Sequence, residues 1–148
     1  MPEVPAVRGG RSRFWASAPA SEPALVWHRW TTPATWGSWD HGLRSATLDG
    51  AFHVGATGRL VDLSGRSSRF TVRTVEPGRV CVVDVPLPSA VLRLTRTSDA
   101  GLARHEVAFA GPAAPLLALA LGARFRRLLR STVPAATTPS SSSAGPGG

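Results

Sequence analysis

The sequence predicts an α+β domain in which a run of antiparallel strands carries one long helix near its C-terminal end on one face. Two observations carry this. Gly and Pro recur at short intervals between β-rich runs from residue 43 to residue 110, as hairpin-connected strands require. After Gly111-Pro112 the apolar period changes from two to that of a helix.

Residues 11–18 read as the first strand. Ser21 is then the expected N-cap of a helix whose first turn takes Glu22 and Pro23 and whose body carries Leu25, Val26, Trp27 and Trp30. Thr32-Pro33 repeats the cap-then-proline signal, so a second short helix should run toward Trp36 and stop near Gly37. Six strands follow, over 43–49, 57–62, 66–76, 79–85, 90–98 and 102–110. Over 116–131, Leu117, Leu121, Phe125, Leu128 and Leu129 share one helical face. Arg126, Arg127 and Arg130 lie opposite, with Arg124 at the edge. The first half of this helix is apolar all round and must be covered by other parts of the protein.

Length and composition bound the rest. The chain has 148 residues, 43% of them hydrophobic, enough for one domain with a real core and too apolar for a wholly disordered chain. Seventeen basic residues, all Arg, face nine acidic ones, giving +8. With 15 Gly and 13 Pro, this Lys-free basicity reflects a GC-rich genome as much as a surface for phosphate. The single cysteine, Cys81, excludes an internal disulfide and any zinc site built on several cysteines. The longest apolar stretch, 112–123, is too short to span a bilayer. Arg8, Arg11 and Arg13 are not followed by the apolar core of a secretory leader, so a soluble cytoplasmic protein is expected. Residues 1–10 are expected to be a flexible N-terminus, 11–133 the folded domain, and 134–148 a disordered Pro/Ser/Gly tail with nothing to bury.

The helix pair ALVWHRWTTPATWGSW, with Val26-Trp27, Thr31-Thr32-Pro33, Trp36 and Trp39, resembles the opening of the START-like SRPBCC superfamily, the polyketide cyclase/dehydrase and lipid-transport group. LDGAFHVGATGRL with Gly55, Gly58 and Arg59, the hairpin FTVRTVEPGRV, then VPLPSAVLRL and the AGPAAPLLALALGARFRRLL helix extend the likeness over residues 11–133. The resemblance implies a helix-grip fold, a curved antiparallel sheet of about seven strands wrapped around the long C-terminal helix. It also implies an apolar cavity between the two for a lipid, polyketide or other hydrophobic molecule. The usual Asp of the Thr-Asp-Pro turn is Thr32 here, which also caps helices. The chain has no Tyr, which removes one polar group such a pocket could use.

Each conspicuous residue type also has a simpler reading. Five Trp lie within the first 39 residues and could wall a flat ligand, but aromatics at helical spacing more often fill a core. Arg69, Arg73 and Arg93 alternate with Phe70, Val72, Leu92 and Leu94, as a half-solvated sheet requires, and no nucleic-acid-binding motif accompanies them. The four His have no second ligand at metal spacing; Asp40 and His41 point apart if extended, so no metal and no cofactor are expected. Cys81 reads as a small buried hydrophobe, and the Arg face of the last helix as solvated rather than membrane-bound.

His105 stands apart because it alternates with Ala103, Val107 and Phe109 on the apolar side of its strand. It is the weak catalytic candidate, or else a satisfied histidine at the pocket rim. The expected cavity lining is Phe70, Val72, Leu92, Leu94, His105, Val107 and Phe109 from the sheet, Trp27 and Trp30 from the first helix, and Leu117, Leu121 and Phe125 from the last. The expected function is binding of a hydrophobic small molecule, by a monomer or weak homodimer without specific nucleic acid or stable membrane insertion. The alternatives are a cyclase/dehydrase-type enzyme using the same cavity, and a regulatory protein-interaction module whose cavity is filled. A polar pair converging in the cavity, His105 with Asp84 or Arg93, would mark the enzyme.

Overall fold

The computed structural model describes residues 7–9 and 12–139. The chain runs β1 (Arg8–Gly9), β2 (Arg13–Pro19), α1 (Pro23–Thr31), a 3₁₀ turn (Pro33–Thr35), α2 (Trp36–Trp39), β3 (Leu43–Leu48), β4 (Thr57–Asp62), β5 (Ser67–Glu76), β6 (Val80–Leu87), β7 (Ala90–Asp99), β8 (Leu102–Ala110) and α3 (Ala114–Thr137). The strands form one antiparallel sheet in the order β1-β2-β8-β7-β6-β5-β4-β3. The sheet is curved and α3 is the long C-terminal helix, as the sequence led us to expect. Register shifts between Leu43 and Ser45, and between Val72 and Thr74, mark bulges, which bend a strand and increase its twist.

Alternation sets the faces. Phe70 and Val72 on β5, Cys81, Val83 and Val85 on β6, and Ala103, His105, Val107 and Phe109 on β8 all point inward and are buried. The outer face carries charge: Asp84 pairs with Arg93 directly across the ladder at 2.8 Å and with Arg73 at 3.4 Å. Asp84 and Arg93 therefore cannot meet His105, and the polar pair expected there does not form.

Gly58 allows the close packing at the far end of the sheet. A Cβ at Gly58 would collide with the Thr47 carbonyl and the Phe70 ring. Phe70, its cross-strand partner, lies over the bare glycine and stacks tilted on Trp36 at 5.1 Å.

α3 lies over β2 and β8 on small residues. Ala114, Ala118 and Gly122 are buried, and a Cβ at Gly122 would stand 3.2 Å from the Phe14 ring. The face bearing Leu117, Leu121, Phe125 and Leu128 is turned beside this contact and only half buried, while Leu129 is fully buried. The most buried stripe is thus the small-residue one, because it lets the helix approach the strands closely.

Four expectations need correction. The N-cap of α1 is Glu22, not Ser21, and no side chain caps it; the Glu22 carbonyl accepts from Leu25 and Val26 N–H. Thr32 does precede its 3₁₀ turn but makes no capping hydrogen bond. The long helix, expected over 116–131 within a domain ending at 133, also runs further. It continues through Pro134 to Thr137, with Ala136 and Thr137 buried, so the expected tail begins too early; residues 140–148 lie outside the described residues. The extension has an anchor: Arg29 Nη1 donates to the carbonyls of Ala135 (3.3 Å), Ala136 (2.9 Å) and Thr138 (2.6 Å). Carbonyls at a helix end lack intrahelical partners and carry partial negative charge, so a guanidinium satisfies both needs. Within residues 1–10, Arg8 and Gly9 are not loose but pair with Trp15 and Phe14.

Candidate functional site

Between the concave face of the sheet and α3 lies a cavity of about 300 Å³. Leu60, Val85, Leu87, Leu92, Leu94 and Val107 line it from the sheet, and Leu121, Phe125, Leu128 and Leu129 from α3. The half-buried state of Leu121, Phe125 and Leu128 has its cause here: the small-residue contact on β2 and β8 holds α3 so that these side chains overhang the cavity. The space is not filled by side chains, contrary to what the regulatory alternative requires.

Of the twelve lining residues expected, Leu92, Leu94, His105, Val107, Leu121 and Phe125 border the cavity. The others do not. Trp30, Phe70 and Val72 are wholly buried in packing, and Trp27 flanks the same core. Phe109 packs edge-on against Phe125 at 5.6 Å, and Leu117 leans on that cluster. These are core residues, because the bulky groups nearest the helix–sheet junction close on one another.

One end of the cavity is polar. Arg96, 4% exposed, is the cross-strand partner of His105, also 4% exposed, so both side chains stand on the concave face. The Arg96 guanidinium lies against the indole rings of both Trp36 and Trp39, 5.1 and 5.0 Å from their centroids. Such contacts strengthen when desolvated. Its Nη2 stands 3.8 Å from Asp40 Oδ2, too far for a hydrogen bond, and its Nη1 has no partner among the described residues. Asp40 accepts from Gly42 N–H at 3.0 Å, and burial raises its pKa while Arg96 opposes the rise. The Thr132 hydroxyl accepts from His41 N–H at 3.2 Å and completes this end.

His105 Nε2 accepts from the indole N–H of Trp30 at 2.9 Å, and Trp39 stands edge-on to the ring. Accepting there fixes the neutral tautomer with its proton on Nδ1. Burial and the neighbouring Arg96 push the His105 pKa well below the usual histidine value, which keeps the ring neutral. His105 can therefore donate from Nδ1 but has no free basic nitrogen. Burial pushes the Cys81 thiol up to about 11, so it is an inert core group as expected.

The other end is aliphatic, from Leu87 and Leu92 to Phe125. Exposed Arg66 and Arg124 stand where the cavity reaches solvent, beside Asp62, whose carboxylate is occupied by Ser64 and Arg66. Among the described residues no cluster of His, Cys, Asp and Glu could hold a metal, and no helix is long and apolar enough to cross a membrane.

Sequence reasoning missed Arg96, and the signal was present. Leu92 and Leu94 were placed on the concave face, and two more residues along the same strand give Arg96. Asp40 had no such signal, since its position depends on where the turn after α2 leaves the chain.

No family model and no curated protein matches the sequence. Solved structures do. A protein from Arthrobacter aurescens is similar at 17% identity over 93% of this chain and 94% of its own, with a TM-score of 0.64. Major latex-like protein 151 from Panax ginseng gives 10% identity over 86% of this chain and 97% of its own, TM-score 0.64. The chain has a helix-grip fold. DynU16, described as a protein of the dynemicin biosynthetic locus, adds a third helix-grip likeness at 21% identity and TM-score 0.59, over 85% of this chain but 45% of its own. At these identities the likeness establishes the helix-grip architecture alone.

Proposed function

We propose that this protein is a member of the START-like group that binds a hydrophobic small molecule in the cavity between sheet and α3. The observation that carries this reading is the cavity itself, about 300 Å³ and lined mostly by aliphatic and aromatic side chains, at the lower end of the size of small-molecule sites. The sequence motifs around Trp27, Thr32-Pro33 and Trp36 support it, because the group they resemble uses such cavities. The test is titration with N-phenyl-1-naphthylamine, a neutral dye that fluoresces in apolar surroundings. Wild-type protein should bind it, and Leu94→Trp, which fills the space from its wall, should lose binding while keeping a cooperative melt. A wild-type protein that takes up no dye would refute the reading.

A cyclase/dehydrase-type enzyme is the second reading, and one observation favours it. Arg96 and His105 converge within the cavity with Asp40 beside them, a polar group where a plain carrier needs none. In that case Arg96 and the Nδ1–H of His105 would stabilise charge developing on a carbonyl oxygen, and Asp40 would be the base. His105→Ala should then abolish turnover of a bound polyketide-like substrate while leaving dye affinity intact.

A further inference from the structure

We infer that the ligand is an apolar molecule with a carboxylate head, seated with that head against Arg96 and its apolar body toward Leu92 and Phe125. This rests on the binding reading above and adds the chemical class and the orientation.

The argument starts from a charge out of place. A guanidinium carries five N–H donors, and burying it without hydrogen bonds is costly. Arg96 is buried, its nearest carboxylate lies at 3.8 Å, and its Nη1 is unpartnered. Removing an arginine of no use would be simple, since Leu92 and Leu94 precede it on the same face. Instead the structure supports it. Trp36 and Trp39 both hold the planar group at about 5 Å from their ring centroids, contacts that favour a desolvated guanidinium but supply none of the acceptors its N–H groups need. The flat fork of a guanidinium matches the two oxygens of a carboxylate. Asp40 does not fill that role: it forms an ion pair with Arg96 through Oδ2 at 3.8 Å, but beyond hydrogen-bonding distance, so the donors of the fork stay unmet.

The neighbours agree with an acceptor at this place. His105 is held in the tautomer that donates from Nδ1, so the polar end offers donors from two strands. Of the other polar residues lining the cavity, Asp62 is engaged by Ser64 and Arg66, Glu106 by Arg13 and Arg104, and Arg66 and Arg124 are exposed to water. That leaves buried Arg96 as the seat for the head and the aliphatic lining for the body. Arg66 and Arg124 at the solvent side favour the approach of an anion.

The experiment displaces N-phenyl-1-naphthylamine from the wild-type protein with decanoate or with 1-decanol, which share a chain and differ in the head. Decanoate should displace the dye at least about tenfold more tightly, as a charge-assisted hydrogen bond allows. Arg96→Gln should remove that preference and leave decanol unchanged. Should Arg96→Gln not fold, Arg96→Met with Asp40→Asn removes both charges and serves in its place. Equal displacement by acid and alcohol would overturn the carboxylate head while the binding reading stands. Loss of the preference in Arg124→Gln rather than at Arg96 would overturn the seat. Failure of the dye to bind at all would instead sink the binding reading itself.

Discussion

Trp30 donates its indole N–H to His105 Nε2 at 2.9 Å, joining α1 to β8 across 75 positions of sequence. The bond settles which nitrogen of His105 carries the proton and makes Trp30 a positioning residue as well as a core one. Its removal should be felt in both roles. Trp30→Phe keeps most of the apolar body but leaves a buried imidazole nitrogen unpaired, which costs about 1–3 kcal/mol. Chemical denaturation should show that loss with the slope unchanged.

The burial of His105 has a pH consequence as well. His105 titrates well below its ordinary 6.5 in the folded protein, through burial first and Arg96 second. As pH falls below 6.5 the unfolded chain takes up a proton that the folded one refuses, so stability is full above that value and is lost below it. The slope is at most about 1.4 kcal/mol per pH unit. Buried Asp40 has a raised pKa and acts with the opposite sign at lower pH. Comparing wild type with His105→Gln cancels Asp40. The variant should lose the acid-side decline between pH 6.5 and 5, and an unchanged decline would refute the assignment.

The clamp on α3 predicts a sharp boundary for truncation. Ending the chain after Val133 removes the carbonyls that Arg29 holds and the buried Ala136, and should cost several degrees of melting temperature. Ending it after Pro139 leaves all of these contacts and should cost nothing. Arg29→Ala should reproduce part of the first effect, about 1–2 kcal/mol for a charged partner lost from a helix end.

Gly58→Ala tests the far end of the sheet. The new methyl meets the Thr47 carbonyl, which cannot move alone, and the Phe70 ring, which is packed on Trp36. Overpacking of this kind costs about 1–3 kcal/mol. The near-ultraviolet signal of Trp36 should change with it, and a variant as stable as wild type would show that the sheet relaxes there.

Most of the fold was legible because its signals are local. The β4 and β8 boundaries matched as drawn, and the remaining long strands matched to within about two residues, since Gly and Pro punctuate them and alternation sets their faces. The end of α3 was not legible. Pro134 reads as a terminator, and only a partner more than a hundred residues away, Arg29, shows why the helix runs past it. Six of the twelve residues expected to line the cavity border it and six do not, and one cause covers both. Alternation says which side a residue faces, but not whether the opposing element touches it or stands off. Phe70 and Leu94 share the concave face, yet α2 covers the first and open space meets the second. Arg96 was within reach of the same alternation and was passed over, since a charged residue on a strand is usually a surface one.

A lysine in the place of Arg96 could shed its proton when desolvated, and the polar end of the cavity would then fade or return with the acidity of its surroundings. Arginine gives no such freedom. Packed against Trp36 and Trp39, the guanidinium keeps its charge across the whole physiological range, so Arg96 itself is no switch. Through Arg96, then, any timing in capture and discharge comes from the guest: an acid docks when ionised and slips away when neutral, on its own titration curve.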